Sequence, residues 1–242
     1  MAIFLRLLIV ALMLGGIVLG AGEWLRRHPE HDPRAPLTLS MPDGWMTARK
    51  VAALREDRDQ CRAFLRRSGI EETALAPVGT GECRRDDRKV LRAPARFEVT
   101  LSPRRAQATC AVDAGLARWL NNGVQPAAKA LLGQAVVRIE QLGTYSCRRI
   151  GGGDEGNWSE HATGNAIDIS AFVLADGTRI SVLRDWGGAA DEPDGKSLFL
   201  RTVRDRACAA FSTVLSPEYN AAHADHLHLD QARRGGSWTA CR

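Results

Sequence analysis

Only six histidines occur in this chain of 242 residues, and four of them lie in two short motifs. The first motif places His161 seven residues before Asp168, and the second places His223, His226 and His228 in a His-x2-His-x-His pattern. Neutral imidazole with carboxylate is the ligand set that zinc prefers in catalytic sites, where three protein ligands leave one position for water. The spacing therefore predicts a zinc site with hydrolytic chemistry.

The second motif is expected to lie on a strand over residues 225–230. Alternate side chains of a strand point to the same face, so His226 and His228 would face one side together. Leu227 and Leu229 would then face the core. This arrangement supplies one metal ligand and one neighbouring acid or base.

The first motif is expected to bridge a loop and a strand. A strand over 166–173 carries Asp168, and His161 follows a glycine-rich loop. A turn between the two residues would let both side chains reach one ion. A lone His-x-His is weak evidence for a metal, but its combination with the upstream motif is strong.

The remaining pattern predicts an α+β fold, an antiparallel sheet with packed helices behind a hydrophobic N-terminal helix. Apolar spacing, start signals and stop signals predict helices over 47–67, 110–122, 126–132 and 198–215. Further strands are expected at 90–91, 97–101, 135–142 and 179–183.

The first 25 residues indicate export from the cytoplasm. No charged residue occurs from 7 to 22, and with its flanks this segment approaches the ~20 residues that span a bilayer. Two interpretations are open: a signal peptide cleaved near residues 20–22, or a retained anchor over 1–25 with Trp24 at the membrane interface. We favour the anchor because of its length, and expect the domain to lie outside the cytoplasm, held at the membrane.

Four prolines mark residues 26–45 as an extended linker that holds a domain over 46–242 away from the membrane. The chain has six cysteines, widely spaced and without a Cys-x-x-Cys pair. This suits up to three disulfides in an oxidising compartment better than a metal cluster, and 15 connectivities are open.

The net charge of +5 favours anionic partners, such as lipid head groups or an anionic cell-wall polymer. The arginines are scattered along the chain and no nucleic-acid recognition motif occurs, so nucleic acid is not an expected partner.

The motifs resemble those of a known superfamily. Ser159-x-His161-x-x-Gly164-x-Ala166-x-Asp168, followed by His-x-His, is similar to the LAS superfamily of lysostaphin-type endopeptidases, D-Ala-D-Ala metallopeptidases and the hedgehog domain. A closer resemblance, over about 44–242, is to the bacterial extensin-like C-terminal domain family. It is carried by Tyr145-Ser-Cys-Arg148, Glu160 to Asp168, Asp185-Trp186 and Tyr219-Asn-Ala-Ala-His223.

The resemblance implies an LAS/hedgehog-like zinc peptidase fold with His161, Asp168 and His228 as the zinc ligands. It implies His226 as the general base, with His223 as a second one. Many carboxypeptidases of the superfamily use a glutamate a few residues before the final ligand. The nearest glutamate here, Glu218, is ten residues before His228, which favours a histidine mechanism.

The same resemblance implies that Arg148 and Ser159 bind substrate, Arg148 by holding a carboxylate or an oxyanion. The activity that it implies is hydrolysis of amide bonds in peptidoglycan peptide stems or cross-links, by an endopeptidase or a carboxypeptidase. The resemblance also implies a bacterial cell membrane as the location, with the domain in the periplasm. Two other classes stay open. One is a zinc-containing module that binds wall peptide or protein without cleaving it, and the other is a structural envelope protein without metal.

Overall fold

The computed structural model describes residues 1–91, 98–104, 106–187, 195–233 and 239–242. Its helices are α1 (Ala2–Arg27), α2 (Thr47–Ala53), α3 (Arg58–Arg67), α4 (Cys110–Trp119), α5 (Gln125–Leu132), α6 (Val182–Asp185) and α7 (Gly195–Ala207). Its strands are β1 (Glu72–Leu75), β2 (Arg88–Leu91), β3 (Thr100–Ser102), β4 (Gln107–Ala108), β5 (Val136–Gly143), β6 (Ala166–Leu174), β7 (Arg179–Ser181), β8 (Thr213–Leu215), β9 (Leu227–Asp230) and β10 (Ala240–Cys241).

The expected N-terminal hydrophobic helix is present as α1. Over Ile3–Arg27 it is long and apolar enough to cross a membrane, and its apolar side chains are exposed. Arg26 and Arg27 lie in its last turn, where positive charge favours the helix C-terminus. A retained anchor and a signal sequence both fit these properties.

The C-terminal half of the predicted linker packs on the domain instead of extending from it. Leu37, Leu39 and Met41 are buried in the core. The fully buried guanidinium of Arg118 on α4 donates to the backbone oxygens of Thr38 and Met41. Proline content alone predicted an extended linker, but the apolar side chains between the prolines favour packing on the core.

Arg118→Ala is expected to lower the free energy of unfolding by about 3–5 kcal/mol, because it leaves the Asp43 carboxylate without its buried cation. The pair is close, with 2.6 Å between Arg118 Nη2 and Asp43 Oδ1. Urea unfolding followed by circular dichroism measures the change. The control is Arg58→Ala, an exposed position where a change within about 0.5 kcal/mol is expected. Equal stability of the two variants would contradict the prediction.

A seven-stranded sheet forms the centre of the domain, in the order β10-β8-β9-β6-β5-β3, with β7 also paired to β6. A second sheet has the order β1-β2-β4. The prediction of an α+β fold is confirmed, and the predicted antiparallel pairing holds for the strands β5, β6, β7, β8 and β9 but not for the two edges of the sheet. The edge strands β3 and β10 run parallel to β5 and β8. Parallel neighbours require a crossover, and α4 and α5 supply it between β3 and β5.

Aromatic side chains join the helices to this sheet. Trp119 of α4 packs edge-on against Phe172 of β6 and Phe211, and Phe172 packs edge-on against Phe199 of α7. The indole nitrogen of Trp119 donates to the backbone oxygen of Val203 at 2.7 Å. The core therefore lies between the helices and β6, the strand that carries Asp168.

Two predicted helices differ from the observed ones. The predicted 47–67 helix is broken into α2 and α3, because the Asp57 side chain caps a new helix by accepting from Gln60 N. The predicted 198–215 helix begins at Gly195 and ends at Ala207, and residues 213–215 form β8 between β9 and β10. Thr213 and Val214 are β-branched and pair well within a sheet.

Smaller differences concern the strands. Of the predicted 97–101 strand, Phe97 lies outside the described residues and β3 begins at Thr100. The predicted 179–183 strand ends at Ser181, where α6 begins. The strands expected at 135–142 and 166–173 are confirmed within one or two residues as β5 and β6.

All six cysteines form disulfides, which confirms the expected number and selects one connectivity. The pairs are Cys61–Cys110, Cys83–Cys147 and Cys208–Cys241. The first joins α3 to α4, and the third joins the end of α7 to β10. The second holds the segment before Arg148, and the neighbouring Ser146 N donates to His161 O at 3.1 Å. The disulfides thus support both the helix layer and the rim of the site described next.

Candidate metal centre

Two of the predicted metal ligands face each other across the sheet. Asp168 of β6 and His228 of β9 are direct partners in the antiparallel register. Directly opposite residues of an antiparallel pair project from the same face of the sheet. The neighbouring residues Leu227 and Leu229 are fully buried on the other face, as the alternation predicted.

The third predicted ligand lies on a short 3-10 turn over Glu160–Thr163, between Ser159 and β6. The turn ends at Gly164 in the left-handed region, with φ of +73°. A side chain at Gly164 would be strained by this backbone and would begin 3.0 Å from the Arg85 guanidinium. The motif glycine is therefore required to bring the chain from His161 into β6.

The three side chains bring one donor atom each to a common point. His161 Nε2 lies 3.2 Å from Asp168 Oδ1 and 3.1 Å from His228 Nδ1. His228 Nδ1 lies 2.9 Å from the same Asp168 oxygen. Among the described residues, this is the one group of three such side chains close enough together to hold a metal ion.

A second carboxylate lies behind His228. Asp230 Oδ2 is 3.1 Å from His228 Nε2, on the side of the ring away from the other ligands. Burial alone would lower the pKa of His228, but the hydrogen bonds with Asp168 and Asp230 outweigh it and raise the pKa to about 9. Burial would likewise raise the pKa of Asp168, but its hydrogen bonds with His161 and His228 hold that pKa well below its usual range.

The donor set fits zinc. Ligands bound at ~2.0–2.1 Å in tetrahedral geometry lie roughly 3.3 Å apart, close to the separations of these atoms. His228 presents Nδ1 because Asp230 engages Nε2, the orientation in which a carboxylate supports a ligating imidazole. The negative charges of Asp168 and Asp230 favour binding of a cation between the His161 and His228 rings.

The other two motif histidines lie beside these ligands. His226 Nε2 is 3.6 Å from Asp168 Oδ1, and its Nδ1 is 2.7 Å from the Asp225 carboxylate. The His223 ring is 5.2 Å from the His226 ring, centre to centre. The four histidines of the two motifs therefore form one cluster around Asp168.

His223 is held from behind by Asn220, whose side-chain oxygen is 2.7 Å from His223 Nδ1. Partial burial, followed by the neighbouring His226 and His228 rings, lowers the pKa of His223 to about 4. The positive charge of Arg148 adds to this shift. A neutral His223 at neutral pH can accept a proton or a hydrogen bond.

The two predicted substrate-binding residues lie at the edge of the cluster. The Arg148 side chain is exposed, and its backbone oxygen accepts from Ser159 N at 3.1 Å. The Ser159 hydroxyl accepts from His161 N at 3.3 Å and so caps the turn that carries this ligand. Contact of either side chain with substrate stays a prediction.

Sequence reasoning missed a polar network around Glu160. Arg55 Nη1 lies 3.1 Å from Glu160 Oε2 and 3.2 Å from the backbone oxygen of Gln231. Asn165 donates to Glu160 and accepts from Thr109. The network joins the turn with His161 to the chain that follows β9. Glu160 lies inside the first motif, which could have indicated a role near the site, whereas no pattern around Arg55, 105 residues earlier, indicates one.

Comparison with known protein families shows to which family this chain is related. The family described as Extensin-like protein C-terminus matches residues 59–242, which include every residue of the histidine cluster. No curated protein and no solved structure matches the chain significantly. The match covers well over half of the chain. It begins at residue 59, whereas the resemblance of the motifs predicts a start near residue 44. The chain belongs to the extensin-like protein C-terminus family.

Proposed function

We propose that this protein is an envelope zinc metallopeptidase that hydrolyses amide bonds in peptidoglycan peptides, retained by α1 at a bacterial membrane with its domain in the periplasm. The observation that carries the proposal is the convergence of three donor atoms on His161, Asp168 and His228, at 2.9–3.2 Å from one another. Two further histidines beside them provide the acid and base that peptide hydrolysis requires. An LAS-like fold is part of the same proposal.

When bound, zinc supplies a Lewis acid for the amide carbonyl and lowers the pKa of a water molecule toward ~7. His226 is placed to move the protons. Asp225 engages its Nδ1 and directs Nε2 toward the three ligand atoms. Nε2 accepts a proton from the attacking water and returns one to the leaving amine nitrogen.

His223 completes the arrangement. Its Nδ1 donates to the Asn220 side-chain oxygen, so the neutral ring presents Nε2 as an acceptor that can take a proton. Glu218 is exposed and its carboxylate pairs with Arg204 on α7 at 3.0 Å. Because this carboxylate is engaged by Arg204, Glu218 is not the base of the proposed mechanism. This geometry supports a mechanism based on histidines.

The choice of substrate rests on the compartment and on charge. Three disulfides and an apolar N-terminal helix favour an exported domain, where wall peptides are within reach. The net charge of +5 attracts anionic polymers, and peptide stems end in carboxylates. Arg148 is exposed at the edge of the site, where a substrate carboxylate can reach it.

The test combines metal analysis with a digest. Full-length protein purified in detergent should contain about one zinc per chain, the stoichiometry of a single three-ligand site. Isolated peptidoglycan incubated with it should yield new muropeptides by mass spectrometry. Loss of cross-links would identify an endopeptidase, and loss of terminal residues a carboxypeptidase. Zinc without any cleavage would replace the proposal by the non-catalytic binding module, and a folded protein unable to bind zinc would exclude both.

Asp230→Asn is expected to weaken zinc binding about 10–100-fold, because the carboxylate that orients the His228 ring and raises its basicity is lost. Competition with a chromogenic chelator measures the affinity. Asp225→Asn is the matched control, since Asp225 contacts His226 and none of the three ligands. Equal affinities of the two variants would show that Asp230 does not support the metal.

A further inference from the structure

The two histidines outside the motifs lie in an aromatic cluster at the end of α1. The Trp24 ring stacks on His28 and His31 with centres 4.6 and 5.2 Å apart. The Trp45 ring lies 4.3 Å from His31 and 5.8 Å from Trp24. We call these four residues the aromatic collar. It joins the last turn of the apolar helix to the segment that enters α2.

Polar contacts hold the collar against the domain. Trp45 N donates to His31 Nδ1 at 3.2 Å, and Lys50 Nζ donates to the backbone oxygen of Pro29 at 2.7 Å. Gly44 packs closely against Glu30, because a Cβ at Gly44 would lie 2.7 Å from the Glu30 backbone oxygen. Because Lys50 belongs to α2, this contact joins the segment directly after α1 to the domain.

The collar nevertheless leaves its two indoles open to the surroundings. Trp45 is 74% exposed and Trp24 is 40% exposed, although large aromatic side chains normally bury most of their surface. The apolar side chains of α1 are exposed as well, and in a retained anchor they lie in the bilayer. Trp24 then reaches the level of the head groups, where tryptophan is enriched. Trp45 stacks on Trp24 with ring centres 5.8 Å apart, so its indole lies at the same level of the head groups.

The charge around the collar indicates which part of the membrane it fits. Arg26 and Arg27 both pair with Glu23, and Arg34 pairs with Asp32. These pairs neutralise much of the local positive charge. The exposed indoles, with an apolar body and one N–H donor each, suit the boundary between acyl chains and head groups of any phospholipid.

We propose that the aromatic collar docks the domain on the phospholipid interface at the point where α1 leaves the bilayer. The docking rests on the retained anchor of the proposed function and is independent of the peptidase chemistry. Two points of contact, α1 and Trp45, fix the orientation of the domain relative to the membrane. The metal centre therefore works at a constant height above the bilayer.

The test uses full-length protein in phosphatidylcholine vesicles whose acyl chains carry bromine near the head group. Bromine quenches tryptophan emission at short range and reports indoles at the interface. Trp45→Phe is expected to remove about half of the lipid-quenched emission, since the collar holds two indoles. The matched control is Trp158→Phe, a ring beneath Arg149 beside the metal centre, which should leave the quenched emission unchanged. Because Trp45 is largely exposed, its replacement is not expected to disturb folding.

Two failures are distinguishable. Vesicle-bound protein of full mass whose quenching is the same with Trp45 and with Phe at this position would overturn the docking alone. An intact mass that lacks the residues before 20–22 would show a cleaved leader, and would overturn both the retained anchor and the docking. Neither result affects the zinc and peptidoglycan measurements.

Discussion

His161→Ala is expected to abolish stoichiometric zinc binding and peptidoglycan cleavage together. His161 Nε2 is within 3.2 Å of both other donor atoms, and two ligands alone hold zinc poorly. Loss of a residue that only hydrogen-bonds a ligand already weakens metal affinity about 10–100-fold, so loss of a ligand itself is expected to weaken it more than about 100-fold. Equilibrium dialysis followed by metal analysis measures the remaining zinc.

The control for this prediction is His223→Ala, which removes an imidazole of the same cluster that is not one of the three ligands. It should retain about one zinc per chain. Thermal unfolding gives a readout independent of activity: zinc at 100 times its Kd stabilises the folded state by about 2.7 kcal/mol. We expect this stabilisation in His223→Ala and not in His161→Ala. Full zinc content in His161→Ala would refute the ligand assignment.

His226→Ala is expected to lower turnover more than about 100-fold while zinc stays bound, because a positioned acid or base contributes 10²–10⁴-fold. The His226 ring faces Asp168 at 3.6 Å without being one of the three close ligands. Release of muropeptides at saturating peptidoglycan measures turnover, and metal analysis of the same samples confirms zinc.

Comparison with Asp225→Asn and His223→Ala separates the roles of the neighbours. Asp225→Asn retains the imidazole but weakens its orientation, so its loss of turnover should be smaller than that of His226→Ala. Unchanged turnover in His226→Ala, with a large loss in His223→Ala, would transfer the role of base to His223. Unchanged turnover in both would exclude a histidine mechanism.

The grouping of His161, Asp168 and His228 followed from local patterns. Alternation along the predicted 225–230 strand predicted that His226 and His228 share a face; the observed strand begins at Leu227, so His226 directly precedes it. The loop before β6 predicted that His161 reaches Asp168. Both relations are decided by a few neighbouring residues, so one sequence sufficed. The motif glycine also had a local cause, the left-handed backbone at Gly164.

Features that depend on distant residues were not predictable in this way. Arg55 reaches Glu160 from a segment 105 residues away, and nothing in either motif indicates that partner. The parallel pairing of β3 with β5 depends on the crossover through α4 and α5. The end of α7 at Ala207 depends on β8 pairing with β9 and β10, because tertiary pairing outweighs the helical pattern of 208–215.

The sequence contains a partial indication that the predicted linker packs on the domain. Leu37, Leu39 and Met41 alternate with a period of two, a pattern that favours a chain lying on a core. The four prolines directed the interpretation toward an extended tether instead. The buried guanidinium that holds this segment, Arg118, lies within a helix otherwise rich in small apolar residues, and its partners could not be assigned from spacing.

The register of β6 against β9 restricts how this protein can diverge. Asp168 and His228 meet because the ladder sets them opposite each other, although 59 residues separate them in the chain. Insertions or deletions in the connections between the two strands leave that pairing intact. A single residue gained or lost inside either strand would turn one ligand to the core side and bring a leucine or isoleucine to the site. Homologous chains with the centre should therefore vary in loop length and keep the length of these two strands.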